Sequence, residues 1–151
     1  MKTLVVYYSR TGNTRKAGKE IARQLKADEE EILDVKNRSG PIGWLKSGRD
    51  AQKKILSEIK PTKKDPSKYD LTIVGTPIWA WTVSSPVRTY LSKNKFKKVA
   101  FFCTCGGDSG KAFVEMETAS KKPVASLVIS EKELKENTYQ QKIKEFVVSL
   151  K

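Results

Sequence analysis

The sequence predicts an α/β fold in which a parallel sheet is covered by helices on both faces. Short apolar runs rich in Val, Ile and Phe recur along the chain, and segments with a helical apolar stripe alternate with them. The length of 151 residues suits one such unit, which can bury roughly 70% of its unfolded surface without covalent cross-links.

The elements follow in order. Thr3–Tyr8 reads as a buried strand, and Ala17, Ile21, Ala22 and Leu25 mark one face of a helix starting near Asn13. Glu31–Val35 is a weaker strand. Trp44, Ala51 and Ile55, with Gly48 on the same face, suit a helix from Gly43 to Leu56. Leu71–Gly75 is the third strand. Ser85-Pro86 offers an N-cap and first-turn pair for a helix carrying Val87, Tyr90 and Leu91. Val99–Cys103 is the fourth strand, and Asp108-Ser109 is a cap candidate for a helix with Ala112, Phe113 and Met116. Pro123–Ile129 is the fifth strand. The clearest stripe, Tyr139, Ile143, Phe146, Val147 and Leu150, closes the chain. Lys60–Lys68 and Lys93–Lys98 are lysine-rich connections, so residues 1–151 are expected to form one domain.

Composition removes several chemistries. The chain has no histidine, which excludes Ser-His-Asp and Cys-His catalysis and the usual zinc sites. Cys103 and Cys105 are too close in sequence for an unstrained disulfide and are read as structural thiols. No run has the make-up of a signal peptide or the roughly 20 apolar residues of a membrane span, so a cytoplasmic protein without membrane insertion is expected. Thirty Lys and Arg against seventeen Asp and Glu give a net charge of +13, which favours anionic partners.

In open parallel sheets, ligands bind beyond the carboxyl ends of the strands. The first such end is Ser9-Arg10-Thr11-Gly12-Asn13-Thr14, between a strand and a helix. Consecutive N–H groups and the helix N-terminus suit a phosphate there, with hydroxyl and amide donors from Ser9, Thr11, Asn13 and Thr14. Gly12 permits the turn, and Arg10 adds a positive charge. A dinucleotide fingerprint needs three spaced glycines, and a receiver-type phosphoacceptor needs carboxylates at the strand ends; neither is present. Gly106 to Lys111 lacks the glycine spacing of a nucleotide P-loop. Lys111 also stands where a cysteine phosphatase needs the planar fork of an arginine.

The segment Ser9–Thr14 resembles the phosphate loop of the flavodoxins, [S/T]-x-T-G-[N/T]-T, and the resemblance runs along the whole chain in element order and length. It implies a flavodoxin-like three-layer sandwich of the short-chain type, with a five-stranded parallel sheet in the order 2-1-3-4-5 and FMN as cofactor. Under that resemblance, Thr76, Pro77, Ile78, Trp79, Ala80 and Trp81 form the second flavin loop. Trp79 stands at the family's stacking tryptophan, with Trp81 at the flavin edge or against the next helix. Thr104, Cys105, Gly106, Gly107 and Asp108 form the third loop, which faces the pyrimidine edge of the ring. Three departures stand out: Lys111 near the place of a second aromatic, Ala80 where glycine is common, and a basic rather than acidic chain.

The resemblance implies an electron carrier shuttling between redox partner proteins, here with acidic surfaces. An FMN-dependent NAD(P)H:quinone or nitro reductase is the alternative. A nucleic-acid partner is not expected, because the charge lacks an aromatic-rich or helix-turn-helix setting.

Overall fold

The computed structural model describes residues 1–151. Six strands form the sheet: β1 (Thr3–Tyr8), β2 (Asp28–Ile32), β3 (Leu71–Trp79), β4 (Thr82–Val83), β5 (Val99–Cys105) and β6 (Ser126–Ser130). Their order is β2-β1-β3-β5-β6, all parallel, while β4 pairs antiparallel with the end of β3. Leaving aside the two-residue β4, this is the expected 2-1-3-4-5 arrangement. The helices are α1 (Asn13–Leu25), α2 (Gly40–Gln52), α3 (Ser85–Lys93), α4 (Ala112–Ala119), α5 (Glu131–Lys135) and α6 (Tyr139–Ser149). Pro66–Lys68 adds a single 3-10 turn.

Alternation along the central strands divides the core in two. Leu4, Val6, Val74 and Phe101 face α3 and α4, where Val87, Tyr90, Leu91 and Met116 complete one cluster. Val5, Tyr7, Ile73 and Phe102 face α1 and α6, where Ile21, Ile143 and Phe146 complete the other. Both faces of β1, β3 and β5 are therefore sealed, and the ligand-accessible part of the sheet is its carboxyl end.

Two elements lie earlier than the sequence pattern suggests. β2 occupies Asp28–Ile32, not Glu31–Val35, and leaves Leu33 and Val35 about half exposed. It is an edge strand whose carboxylates have local donors. The Tyr7 hydroxyl donates to Glu29 at 2.8 Å, Tyr69 to Asp28 at 2.6 Å, and Arg15 grips Glu31 at 2.6 and 2.9 Å. Backbone N–H groups of Lys63 and Lys64 donate to Glu30. Polar pairing, which apolar periodicity does not register, sets this strand.

The second correction is α2. It begins at Gly40 and ends at Gln52, and Ile55 and Leu56 lie beyond it in exposed positions. Of the expected inward face only Ala51 is buried; Gly43, Ser47 and Asp50 join it, while Trp44 is 64% exposed. The reason is Arg38, buried beneath the helix, whose guanidinium meets Asp34 at 2.5 Å, Asp50 at 3.1 Å and Ser57 at 2.7 Å. A buried arginine needs polar partners, so the inward face of α2 is polar and its tryptophan points elsewhere.

Smaller differences are a β3 that runs on to Trp79, a fifth strand displaced to Ser126–Ser130, and the capping box of Ser130 and Glu133 that starts α5. Ser84, not Ser85, stands at the N-cap position of α3, without a side-chain capping bond, and Ser85 is already helical. No helix is long and apolar enough to cross a membrane.

Candidate functional site

Because the strands are parallel, the loops after β1, β3 and β5 emerge at one pole. In the first, the Ser9 hydroxyl accepts the Gly12 N–H at 3.0 Å, and Gly12 sits at φ 106°, a conformation that disfavours side chains. α1 then starts at Asn13 with no acidic residue in its first turn and no side-chain cap. Its first N–H groups have no intrahelical partners, and the helix end favours an anion. Thr14 is buried, its hydroxyl 2.7 Å from that of Thr104 on β5, which ties this loop to the third. Arg10 borders the same loop, and its guanidinium donates to the carbonyls of Arg38 at 2.9 Å and Gly40 at 3.0 Å, bracing the start of α2. Arg10, Thr11, Asn13 and Thr14 line a hollow of about 110 Å³ with Trp44, Thr104 and Glu131.

The second loop is a hairpin. Trp79 pairs with Thr82, leaving Ala80 and Trp81 as a two-residue turn with φ of 48° and 64°. Two positive φ values in succession are the type I′ pattern, which ordinarily uses Asn-Gly. Its surroundings hold it. The Trp81 carbonyl accepts the Lys111 N–H at 2.7 Å. Gly110, at φ 55°, approaches so closely that a Cβ there would lie 2.1 Å from the same oxygen. Below, Glu115 accepts from both Thr82 and Arg88. Burial pushes the Glu115 carboxyl up, but Thr82, Arg88 and Lys54 outweigh it and hold the group below its usual range. The Thr76 hydroxyl donates to Ser84 at 2.9 Å and fixes the base of the hairpin.

The two tryptophans of this loop differ. Trp79 is 7% exposed, edge-on to Tyr8 at 5.5 Å, with the Arg38 guanidinium 4.9 Å from its ring centre. Trp81 is 68% exposed. A cleft of about 500 Å³ opens between α2, this hairpin and the third loop, lined by Trp44, Leu45, Gly48, Ile78, Trp79, Ala80 and Trp81. Cys105, Gly106, Gly107 and Asp108 complete its wall. A Cβ at Gly106 or Gly107 would meet nothing within 4 Å, so their backbone is approachable. Asp108 does not cap α4; its carboxylate accepts the Gly110 N–H at 2.8 Å, and Lys111 occupies the cap position.

Cys103 and Cys105 are both buried, and burial pushes both thiols up, away from the thiolate form that a nucleophile requires. The structure thus gathers Thr11, Asn13, Thr14, Pro77, Ile78, Thr104 and the later cleft residues around two joined hollows. It ties Arg10 to the start of α2 at the rim of the smaller hollow and encloses most of Trp79. Trp44, Leu45 and Gly48 on α2 were not singled out as site residues by the sequence. The available signal was the run Ile42, Trp44 and Leu45, which cannot all share one buried helical face.

The flavodoxin family model matches residues 2–150. No curated protein matches the sequence. A flavoprotein from Lactobacillus acidophilus, solved in complex with FMN, is 25% identical with a TM-score of 0.70, covering 89% of this chain and 97% of its own. A protein from Bacteroides uniformis, provisionally named a flavoprotein, is 21% identical with a TM-score of 0.75, covering 91% and 97%. Oxidised flavodoxin 2 from Bacillus cereus is 18% identical with a TM-score of 0.54, covering 99% and 97%. With a phosphate-type loop, a hairpin and a glycine loop at one end of a 2-1-3-4-5 sheet, and a family match over nearly its whole length, this chain belongs to the flavodoxin family.

Proposed function

We propose that the protein binds FMN in the two joined hollows and serves as a cytoplasmic electron carrier between protein partners with acidic surfaces. The observation that carries this reading is the convergence, at one sheet pole, of an unpaired helix N-terminus and a mainly apolar cleft walled by exposed tryptophans.

The residues fit the group. The first N–H groups of α1, with Thr11 and Asn13, would hold the phosphate. Trp81 and Trp44 would supply the flat apolar surfaces for the ring, and the backbone at Gly106–Asp108 would meet its polar edge. Trp79 is then a positioning residue: packed on Tyr8 and under Arg38, it fixes where the hairpin turns. Bound FMN supplies one- and two-electron chemistry, and the chain supplies position, electrostatics and exclusion of water. Arg49 on α2 lines the cleft, is exposed, and suits an acidic partner.

The openness of the cleft favours the alternative as a second reading. Trp44 and Trp81 both remain exposed, so a small quinone or nitro compound has a route to the ring. The absorption spectrum of purified protein, with the released cofactor identified, tests the common part of both readings. Fluorescence titration of apoprotein should show Trp44→Ala and Trp81→Ala weakening FMN binding roughly three- to tenfold each. Failure of the apoprotein to bind FMN would refute the proposal. Electron transfer through added partner proteins, without rapid NAD(P)H oxidation by small acceptors, would favour the carrier.

A further inference from the structure

A parallel sheet has two unlike poles. The cleft occupies the carboxyl pole; the amino pole collects the residues that lead into each strand. At three of the strands those residues are lysines: Lys2 precedes β1, Lys97 and Lys98 precede β5, and Lys121 and Lys122 come just before the segment that enters β6. Lys95 joins them from the connection after α3. No Asp or Glu occurs between residues 85 and 107 or between 118 and 130.

Backbone bonding gathers these segments into one surface. The Lys2 N–H donates to the Asp70 carboxylate at 2.7 Å, and the Thr72 N–H donates to the Lys98 carbonyl at 3.0 Å. The Lys121 ammonium donates to the carbonyls of Phe96 at 3.0 Å and Lys97 at 2.9 Å. Asp70 faces this cluster. Its pKa is lowered first by the Lys2 N–H and then by the nearby positive charges of Lys97, the N-terminal amine and Lys98. The side chains of Lys95, Lys97, Lys98 and Lys122 are exposed, and none takes part in an ion pair. Crowded, unpaired like charges destabilise the folded chain by repulsion, and an anionic surface removes that repulsion.

We propose that this lysine pole docks the protein peripherally on an anionic lipid surface, leaving the cleft at the other pole open. About 20 Å of β5 separates the two ends, so a partner bound at the lysines does not cover the cleft. Composition favours lipid headgroups over nucleic acid. The patch contains lysine but no arginine fork for base edges, and no exposed aromatic ring on which bases would stack. Half-exposed Val124 borders the lysines and suits the headgroup boundary. The inference is independent of FMN, since it uses no residue of the cleft.

Sedimentation of the full-length protein with vesicles tests it. Phosphatidylcholine vesicles containing phosphatidylserine should carry the protein down at low salt, and phosphatidylcholine alone should not. Each lysine at such a surface contributes roughly fivefold in partitioning, so the combined K95Q, K97Q, K98Q and K122Q variant should lose on the order of several hundredfold. The equal-charge variant K19Q, K132Q, K135Q and K144Q, altered on the α1, α5 and α6 side, should lose less than about tenfold. Replacing the first four lysines with arginine should retain binding, separating charge from damage to the fold. Equal losses in the two glutamine variants, no binding by the unaltered protein, or tighter pole-dependent binding to an oligonucleotide than to vesicles would each overturn the proposal.

Discussion

The β1–α1 loop and the β3–β4 hairpin border the same cleft but hold their shapes by opposite means. In the first, the residues favour the conformation they adopt. Gly12 takes φ 106°, Ser9 accepts its N–H, and α1 begins directly behind it. In the second, Ala80 and Trp81 take left-handed conformations that L-residues resist, each at a cost of order 1–3 kcal/mol. Contacts from two directions impose that turn: Lys111 and Gly110 above, and the Thr82–Glu115–Arg88 cluster below. A loop that shapes itself tolerates loss of its neighbours. A loop shaped from outside does not, and it is the one that carries the exposed Trp81.

The largest expected effect therefore lies outside the cleft. Arg88 is 9% exposed and its carboxylate partner Glu115 is also largely buried. Arg88→Ala leaves that carboxylate without its main counter-charge and should destabilise the protein by about 3–5 kcal/mol in denaturant unfolding. Because the folded Glu115 carboxyl titrates below its usual value near 4.5, its contribution is present above that pH. It is lost as pH falls through the lower folded value. The unaltered protein should weaken more steeply in that acid range than the Glu115→Gln variant. Parallel pH profiles would show that the cluster does not brace the hairpin through charge.

The contrast between the loops also explains what the sequence disclosed. The β1–α1 loop was legible because local residue preference and local structure agree there, and the buried strands were legible because β1, β3 and β5 are apolar on both faces. Trp79 and Trp81 look alike in sequence, and only the tertiary packing of Tyr8 and Arg38 against Trp79 separates them. Trp44 was read as a core position because apolar periodicity assumes an apolar inward face. The buried Arg38–Asp34–Asp50 network reverses that assumption across α2. The Asp28–Ile32 edge strand was misplaced for the same reason: charge pairing over long sequence separations holds it. The partners of Arg10 were hidden likewise, since its acceptors are carbonyls at Arg38 and Gly40.

A pair of substitutions at the two turns should have opposite signs. Gly12→Ala forces a side chain onto φ 106° and should destabilise by about 1–2 kcal/mol, although its Cβ would have space. Ala80→Gly relieves a left-handed alanine and should stabilise by about 1 kcal/mol, raising Tm by a few degrees. Thermal unfolding of both variants measures the comparison directly. Two shifts of the same sign would show that the hairpin is not held against its preference.

The smallest expected effect sharpens the reading of the self-shaped loop as a phosphate site. Glu131 lines the same hollow as Thr11, Asn13 and Thr14, and it is exposed at the start of α5. A carboxylate beside a bound phosphate repels it through solvent, and screening by water keeps the effect modest. Glu131→Gln removes the charge while retaining the shape of the side chain. It should tighten FMN binding to the apoprotein roughly two- to threefold at low ionic strength and leave riboflavin binding unchanged, since riboflavin carries no phosphate. Added salt should shrink the difference. Equal gains for both ligands would place the effect on the ring or the fold rather than on the phosphate, and no gain for either would move the phosphate away from this hollow.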